Sequence, residues 1–139
     1  MNTYSIEDLS IGQIEKFQVA ITEAMMSNFL EITQDTNPLH QDKKFAKEKG
    51  FSDKVVYGML TASFISTLGG VFLPGRDCLI QSVEIKFVKP VFVGDTLTIY
   101  GKVTEIHETV QQVEIKVTII NQEDKKVVKG KLKVGFLNG

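Results

Sequence analysis

The chain has 139 residues, of which 42% are hydrophobic and 24% charged, and its formal net charge is −1. A chain of this length fits one domain, residues 1–139, and buries roughly 70% of its unfolded surface, so it needs neither a disulfide nor a structural metal. The near-neutral balance argues against a nucleic-acid partner, since phosphate binding needs a basic excess on one face.

The lone cysteine, Cys78, rules out an intramolecular disulfide and a Cys-based zinc cluster. The segment Met1 to Asp8 is polar and acidic, unlike a secretory signal. The longest apolar candidate, Tyr57 to Leu73, is interrupted by Thr61, Ser63, Ser66, Thr67 and two glycines, so no bilayer span is expected. A cytoplasmic protein without a membrane partner is the expectation.

Along the chain, a short apolar alternation from Ile14 to Ile21 comes first. Thr22 then suits a helix N-cap, and Met25, Met26, Phe29, Leu30 and Ile32 recur at helical spacing. Pro38 cannot continue that helix and pushes Asn37 toward extended geometry, so the helix should end near Gln34 or Asp35. A second short helix is expected from Asp42 as N-cap to a stop at Gly50, followed by a loop from Phe51 to Tyr57.

The segment Gly58 to Gly70 carries large apolar residues on nearly every side, the mark of a buried helix. Its small residues Ala62, Ser63, Ser66 and Gly69 allow close backbone approach, and Leu73-Pro74-Gly75 ends it. From Leu79 the period becomes two. Val83, Ile85 and Phe87 alternate with Glu84 and Lys86, and Leu97, Ile99 and Val103 share one side of a later run. Val113, Ile115, Val117 and Ile119, then Leu132, Val134 and Phe136, alternate with polar residues. Such alternation predicts antiparallel strands with one face buried and one wet. Val93-Gly94-Asp95 and Asn121-Gln122-Glu123-Asp124 are turn signals. The prediction is an α+β fold with about five strands curved around the apolar helix.

Asp35-Thr36-Asn37-Pro38-Leu39-His40 carries the chemistry. A carboxylate and an imidazole stand five positions apart, up to ~17 Å if stretched, and an Asn-Pro turn can aim both into one pocket. Asp and His are the usual partners for acid–base work near neutral pH. Spacing alone also allows a plain helix stop beside a hydrogen-bonded imidazole. With only two histidines, and His107 at a polar strand end, no metal site is expected.

This segment resembles the D-x-N-P-L-H signature of MaoC-like, (R)-specific enoyl-CoA hydratases. Val55-Val56-Tyr57-Gly58-Met59 looks like that family's I-V-H-G-M approach to its central helix, and Pro90 to Leu97 looks like its strand-turn-strand element. The order and spacing agree over nearly the whole chain. The departure is Tyr57, where the family usually places His.

The resemblance implies a hot-dog fold and a homodimer or higher homo-oligomer, with sites near the subunit interface. It implies reversible hydration of trans-2-enoyl-CoA, with coenzyme A as part of the substrate and no separate cofactor. Asp35 and His40 would hold the reacting water and share acid and base roles. The Gly58 N–H would face the thioester oxygen from a helix start, where free N–H groups favour negative charge. Ser66 aligns with a serine that bonds within the catalytic pair, or else is a small packing residue. Tyr57 would shape the pocket mouth, and Asn37 would fix the turn beside the substrate. Met59, with Phe64 and Ile65, would wall an acyl tunnel or be plain core. Arg76, Lys86 and Lys89 are candidate cations for the phosphates. Cys78 reads as a small hydrophobe, and His107 as a solvated surface residue.

Three other functions fit parts of this pattern. Dehydration of 3-hydroxyacyl groups on acyl carrier protein is the same chemistry on another carrier, and a basic patch at the pocket mouth would favour it. A thioesterase uses the fold with a lone carboxylate, and a non-catalytic acyl-CoA-binding module needs neither residue. The Asp35–His40 pair argues against both.

Overall fold

The computed structural model describes residues 1–137. Its frame is a five-stranded antiparallel sheet of β1 (Ile14–Ala20), β2 (Cys78–Phe87), β3 (Thr96–His107), β4 (Gln112–Ile120) and β5 (Lys126–Phe136). The spatial order is β1-β3-β4-β5-β2. The Ile14–Ile21 alternation is thus an edge strand beside β3, with Phe17 opposite Ile99.

The helices come from capping and proline chemistry. α1 (Glu23–Thr33) starts where the Thr22 hydroxyl accepts the Met25 N–H at 3.2 Å. It ends at Gln34, whose φ of 58° lies in the left-handed region. α3 (Lys43–Glu48) is capped by Asp42, whose carboxylate takes the N–H groups of Lys44 and Phe45. Between them lies α2 (Pro38–Gln41), a turn of helix that the Asn-Pro reading did not foresee. Pro38 stops α1 yet stands at the first position of α2, where a missing N–H costs nothing and its fixed φ suits the helix.

α4 (Gly58–Thr67) runs on into a π turn, Leu68–Phe72, and the Leu73–Pro74 peptide is cis. One face of this helix packs into the concave side of the sheet. Leu60, Thr61, Ile65 and Leu68 are buried there, against Ile99, Ile115, Val117 and Leu132. Contact is close at Gly101, where an added Cβ would stand 2.9 Å from the Leu68 side chain. The arrangement is the hot-dog architecture, a curved sheet wrapped on a central helix. Among the described residues, no helix is long and apolar enough to cross a membrane.

Two expectations need correction. The helix is not apolar-buried all round, because Met59, Ser63 and Ser66 face outward and Met59 is 62% exposed. Nor does every strand bury its apolar face. Val83 and Phe87 of β2 are 43% and 53% exposed. The reason is placement: β2 is a sheet edge, and nothing among the described residues covers the side it shares with the outer face of α4.

Candidate active site

The site is built where α1 stops. Past the left-handed Gln34, the Asp35 carboxylate accepts the Asn37 N–H at 3.0 Å. The Asn37 side chain in turn accepts the Leu39 N–H at 2.9 Å and caps α2. These two Asx-type bonds reverse the chain, so that Asp35 and His40 both line one cavity.

His40 sits on the last turn of α2. Its Nδ1 lies 2.6 Å from the carbonyl oxygen of Val55. A carbonyl can only accept, so Nδ1 carries a proton, and in the neutral form of the imidazole the lone pair lies on Nε2. The Val55 N–H returns a bond to Leu39 O at 3.0 Å, and the Val56 N–H bonds to Val91 O at 2.8 Å. The Phe51–Tyr57 loop is thereby stapled to α2 on one side and to the approach to β3 on the other. Tyr57, only 2% exposed, ends it. Burial, followed by the nearby Asp35 carboxylate, pushes its phenol above the ordinary value, so the hydroxyl stays protonated.

The cavity is about 1060 Å³ and lies between the outer face of α4 and the apolar face of β2. Its lining brings together Asp35, His40, Tyr57, Gly58, Met59 and Ser66. A smaller one, about 300 Å³, shares His40, Gly58 and Phe87 with it. Phe87 therefore stands at the junction, packed so closely on Gly58 that an added Cβ would meet its ring at 3.0 Å. Gly58 is the first residue of α4, and its N–H has no acceptor among the described residues. Thr61 lines the smaller cavity and is 1% exposed, yet its hydroxyl has no partner among the described residues.

The remaining candidates scatter. Asn37 does not line either cavity, because its side chain is committed to capping α2. Ser66 lines the large cavity but bonds to neither Asp35 nor His40; eight residues of helix place it about 12 Å beyond Gly58. Ile65 lines the cavity while Phe64 packs against the core. Of the three cations, only Lys89 reaches either of these two cavities. Lys86 lies on the opposite side of β2, in a groove with Lys129 and Lys131, and Arg76 pairs with Asp77 beyond the far end of α4. Burial pushes the Cys78 thiol up to about 11, which leaves it unreactive. His107 is exposed beside Glu105. Among the described residues, no cluster of three or more His, Cys, Asp or Glu could hold a metal.

Sequence reasoning missed the contacts of Tyr57. Its hydroxyl bonds to Asp35 and Gln41 and its ring lies on His40, partners 16 to 22 residues away or on another helix. Only its departure from the family motif drew attention to the position.

Known proteins resemble this chain in sequence and in fold. An (R)-specific enoyl-CoA hydratase of Aeromonas caviae is 36% identical over 104 residues, covering 75% of this chain and 78% of that protein. One from Rhodospirillum rubrum is 36% identical over 98 residues, covering 70% and 68%. The solved structure of the A. caviae (R)-hydratase, involved in PHA biosynthesis, superposes with a TM-score of 0.89 at 32% identity, covering 94% of this chain and 98% of that one. The MaoC like domain family matches residues 10–126. On fold, on sequence and on this match, the chain belongs to the MaoC-like domain family.

Proposed function

We propose that this protein is an (R)-specific enoyl-CoA hydratase, a hydro-lyase that reversibly adds water to trans-2-enoyl-CoA to give (R)-3-hydroxyacyl-CoA. One observation carries the reading: a carboxylate, an imidazole with a free Nε2 and an unbonded helix-start N–H all line a single apolar cavity.

The chemistry follows from those groups. Asp35 and His40 hold one water, and together they remove its proton as its oxygen bonds to C3. The electron pair of the double bond moves toward the thioester, and the Gly58 N–H stabilises the charge building on its oxygen. C2 then takes a proton from the same pair, so the atoms of one water are added to one face. Asp35 keeps one oxygen on the Asn37 N–H and has the other available for the water. The two groups act as a coupled unit with shared acid and base roles. Apolar walls at Met59, Ile65, Ile80 and Val83 suit an acyl chain. The coenzyme enters as part of the substrate, and no separate cofactor is needed.

A second copy of the chain is the partner we infer. The apolar face of β2 and its free edge are uncovered beside the site, a surface that a twin β2 can cover.

The test follows the absorbance of the conjugated thioester as protein is added to crotonyl-CoA. The native protein is expected to remove it rapidly, and Asp35→Asn to lower kcat by about 10²–10⁴-fold. Full activity in both Asp35→Asn and His40→Ala would overturn the mechanism. Turnover of a crotonyl group on acyl carrier protein but not on coenzyme A would reassign the carrier.

A further inference from the structure

Tyr57 touches both members of the reacting pair. Its hydroxyl donates to the main-chain oxygen of Asp35 at 2.8 Å and accepts from Gln41 Nε2 at 2.5 Å. Its ring lies on the His40 imidazole, with centroids 4.3 Å apart and planes 28° from parallel. Phe29 of α1 packs on the tyrosine at 4.8 Å.

Each contact meets a need. Asp35 follows a residue in the left-handed region, so its carbonyl has left the hydrogen-bond ladder of α1. The Tyr57 O–H is the donor that the carbonyl receives. The bond from His40 Nδ1 to Val55 fixes one edge of the imidazole but leaves the ring free to tilt about that contact. The tyrosine ring closes off that tilt. The phenol has one proton, and it is spent on Asp35. Tyr57 therefore donates nothing to substrate, and its hydroxyl is turned to protein partners rather than to the pocket mouth.

We infer that Tyr57 is the positioning residue of the Asp35–His40 pair, setting the carboxylate through the main chain and the imidazole through ring contact. This rests on the hydratase reading above. A group misplaced by about 1 Å can cost on the order of 10²-fold in rate. The effect should therefore fall on kcat rather than on substrate binding.

Four proteins test it: native, Tyr57→Phe, Tyr57→Leu and, as a matched control, Tyr4→Phe. Tyr4 also uses a part-buried phenol, donating to Glu15 at 3.0 Å away from the site. With crotonyl-CoA, Tyr57→Phe is expected to lower kcat roughly 10- to 100-fold with KM within about twofold. Tyr57→Leu should lose more. Tyr4→Phe should lower thermal stability and leave kcat unchanged. Native kcat per folded molecule in Tyr57→Phe and Tyr57→Leu would overturn the inference, as would an equal kcat loss in Tyr4→Phe.

The hydratase reading fails separately, if the native protein hydrates no enoyl thioester. Positioning is then judged by ring ¹⁵N shifts, for which the chain's two histidines give a built-in reference. In Tyr57→Leu the His40 shifts should move from the Nδ1–H tautomer toward a mixture while those of His107 stay put. An unmoved His40 overturns the inference in that arm. If Tyr57→Leu does not fold, Tyr57→Phe, which keeps the ring and loses the hydroxyl, is read at Asp35 instead: a moved Asp35 carboxyl ¹³C shift with that of Asp77 unmoved supports positioning, and an unmoved Asp35 shift overturns it.

Discussion

β4 and β2 have the same sequence pattern and opposite fates. In β4, Val113, Ile115, Val117 and Ile119 alternate with polar residues, and all four are 0% exposed. In β2, Val83, Ile85 and Phe87 alternate just as cleanly, yet Val83 and Phe87 are about half exposed. β4 is paired on both edges and its apolar side chains lie in the core, whereas β2 is paired only with β5 and faces the large cavity. A period of two states which side chains share a face. It does not state what covers that face. Apolar surface left open beside a carboxylate and an imidazole is surface kept for a ligand or a second subunit.

The largest effect should come from a pair of truncations across this contrast. Ile115→Ala removes fully buried methyl groups from the layer under Leu68 and should cost about 2–5 kcal/mol in urea unfolding. Val83→Ala removes half-exposed ones and should cost less than about 1 kcal/mol. If a second copy covers β2, the Val83→Ala cost rises toward the core value and depends on protein concentration. Equal costs at every concentration would break the comparison.

A smaller effect separates two glycines. Gly101→Ala on β3 places a Cβ 2.9 and 3.0 Å from the Leu68 methyls and 3.2 Å from Ile115, both residues at 0% exposure. Neither neighbour has room to give, and overpacking of this kind costs about 1–3 kcal/mol. In Gly58→Ala the atoms nearest the new Cβ are those of the Phe87 ring, at 3.0 Å, and that ring is exposed enough to swing aside. Its stability cost should be under about 1 kcal/mol, while turnover of crotonyl-CoA should fall. A displaced ring changes the junction of the two cavities, which holds the unbonded N–H. Comparing melting temperature with kcat/KM for both variants checks this split.

The sequence read well where the signal is local. The Thr22 and Asp42 caps, the Phe51–Tyr57 loop and the strand periods depend on residues within a few positions of each other. The Asp35-to-His40 motif is likewise a local turn, so two site residues could be named from it. The misses share a different cause. α2 was hidden because Pro38 ends one helix and begins another, and only the observed caps separate those roles. The open face of β2 depends on which strand ends up at the sheet edge. Tyr57 is the clearest case, since its bonds to Asp35 and Gln41 join segments brought together only by the fold.

The smallest expected effect lies where the two regions meet. Thr61 is on the buried face of α4, yet it also lines the smaller cavity beside Gly58 and His40. Its hydroxyl is buried and unpartnered, which is a penalty already present in the native fold. Thr61→Val keeps the shape and removes that penalty, so stability should stay level or rise by up to about 1 kcal/mol. Kinetics then separate two uses of the hydroxyl. If substrate supplies the missing partner, Thr61→Val should raise KM for crotonyl-CoA while the folded protein becomes no less stable. If KM is unchanged and stability rises, Thr61 belongs with β4 as core, and the cavity beside it is apolar space alone. A stability loss beyond about 1 kcal/mol would mean the hydroxyl is bonded in solution, and that the buried side of α4 is wetter than its neighbours suggest.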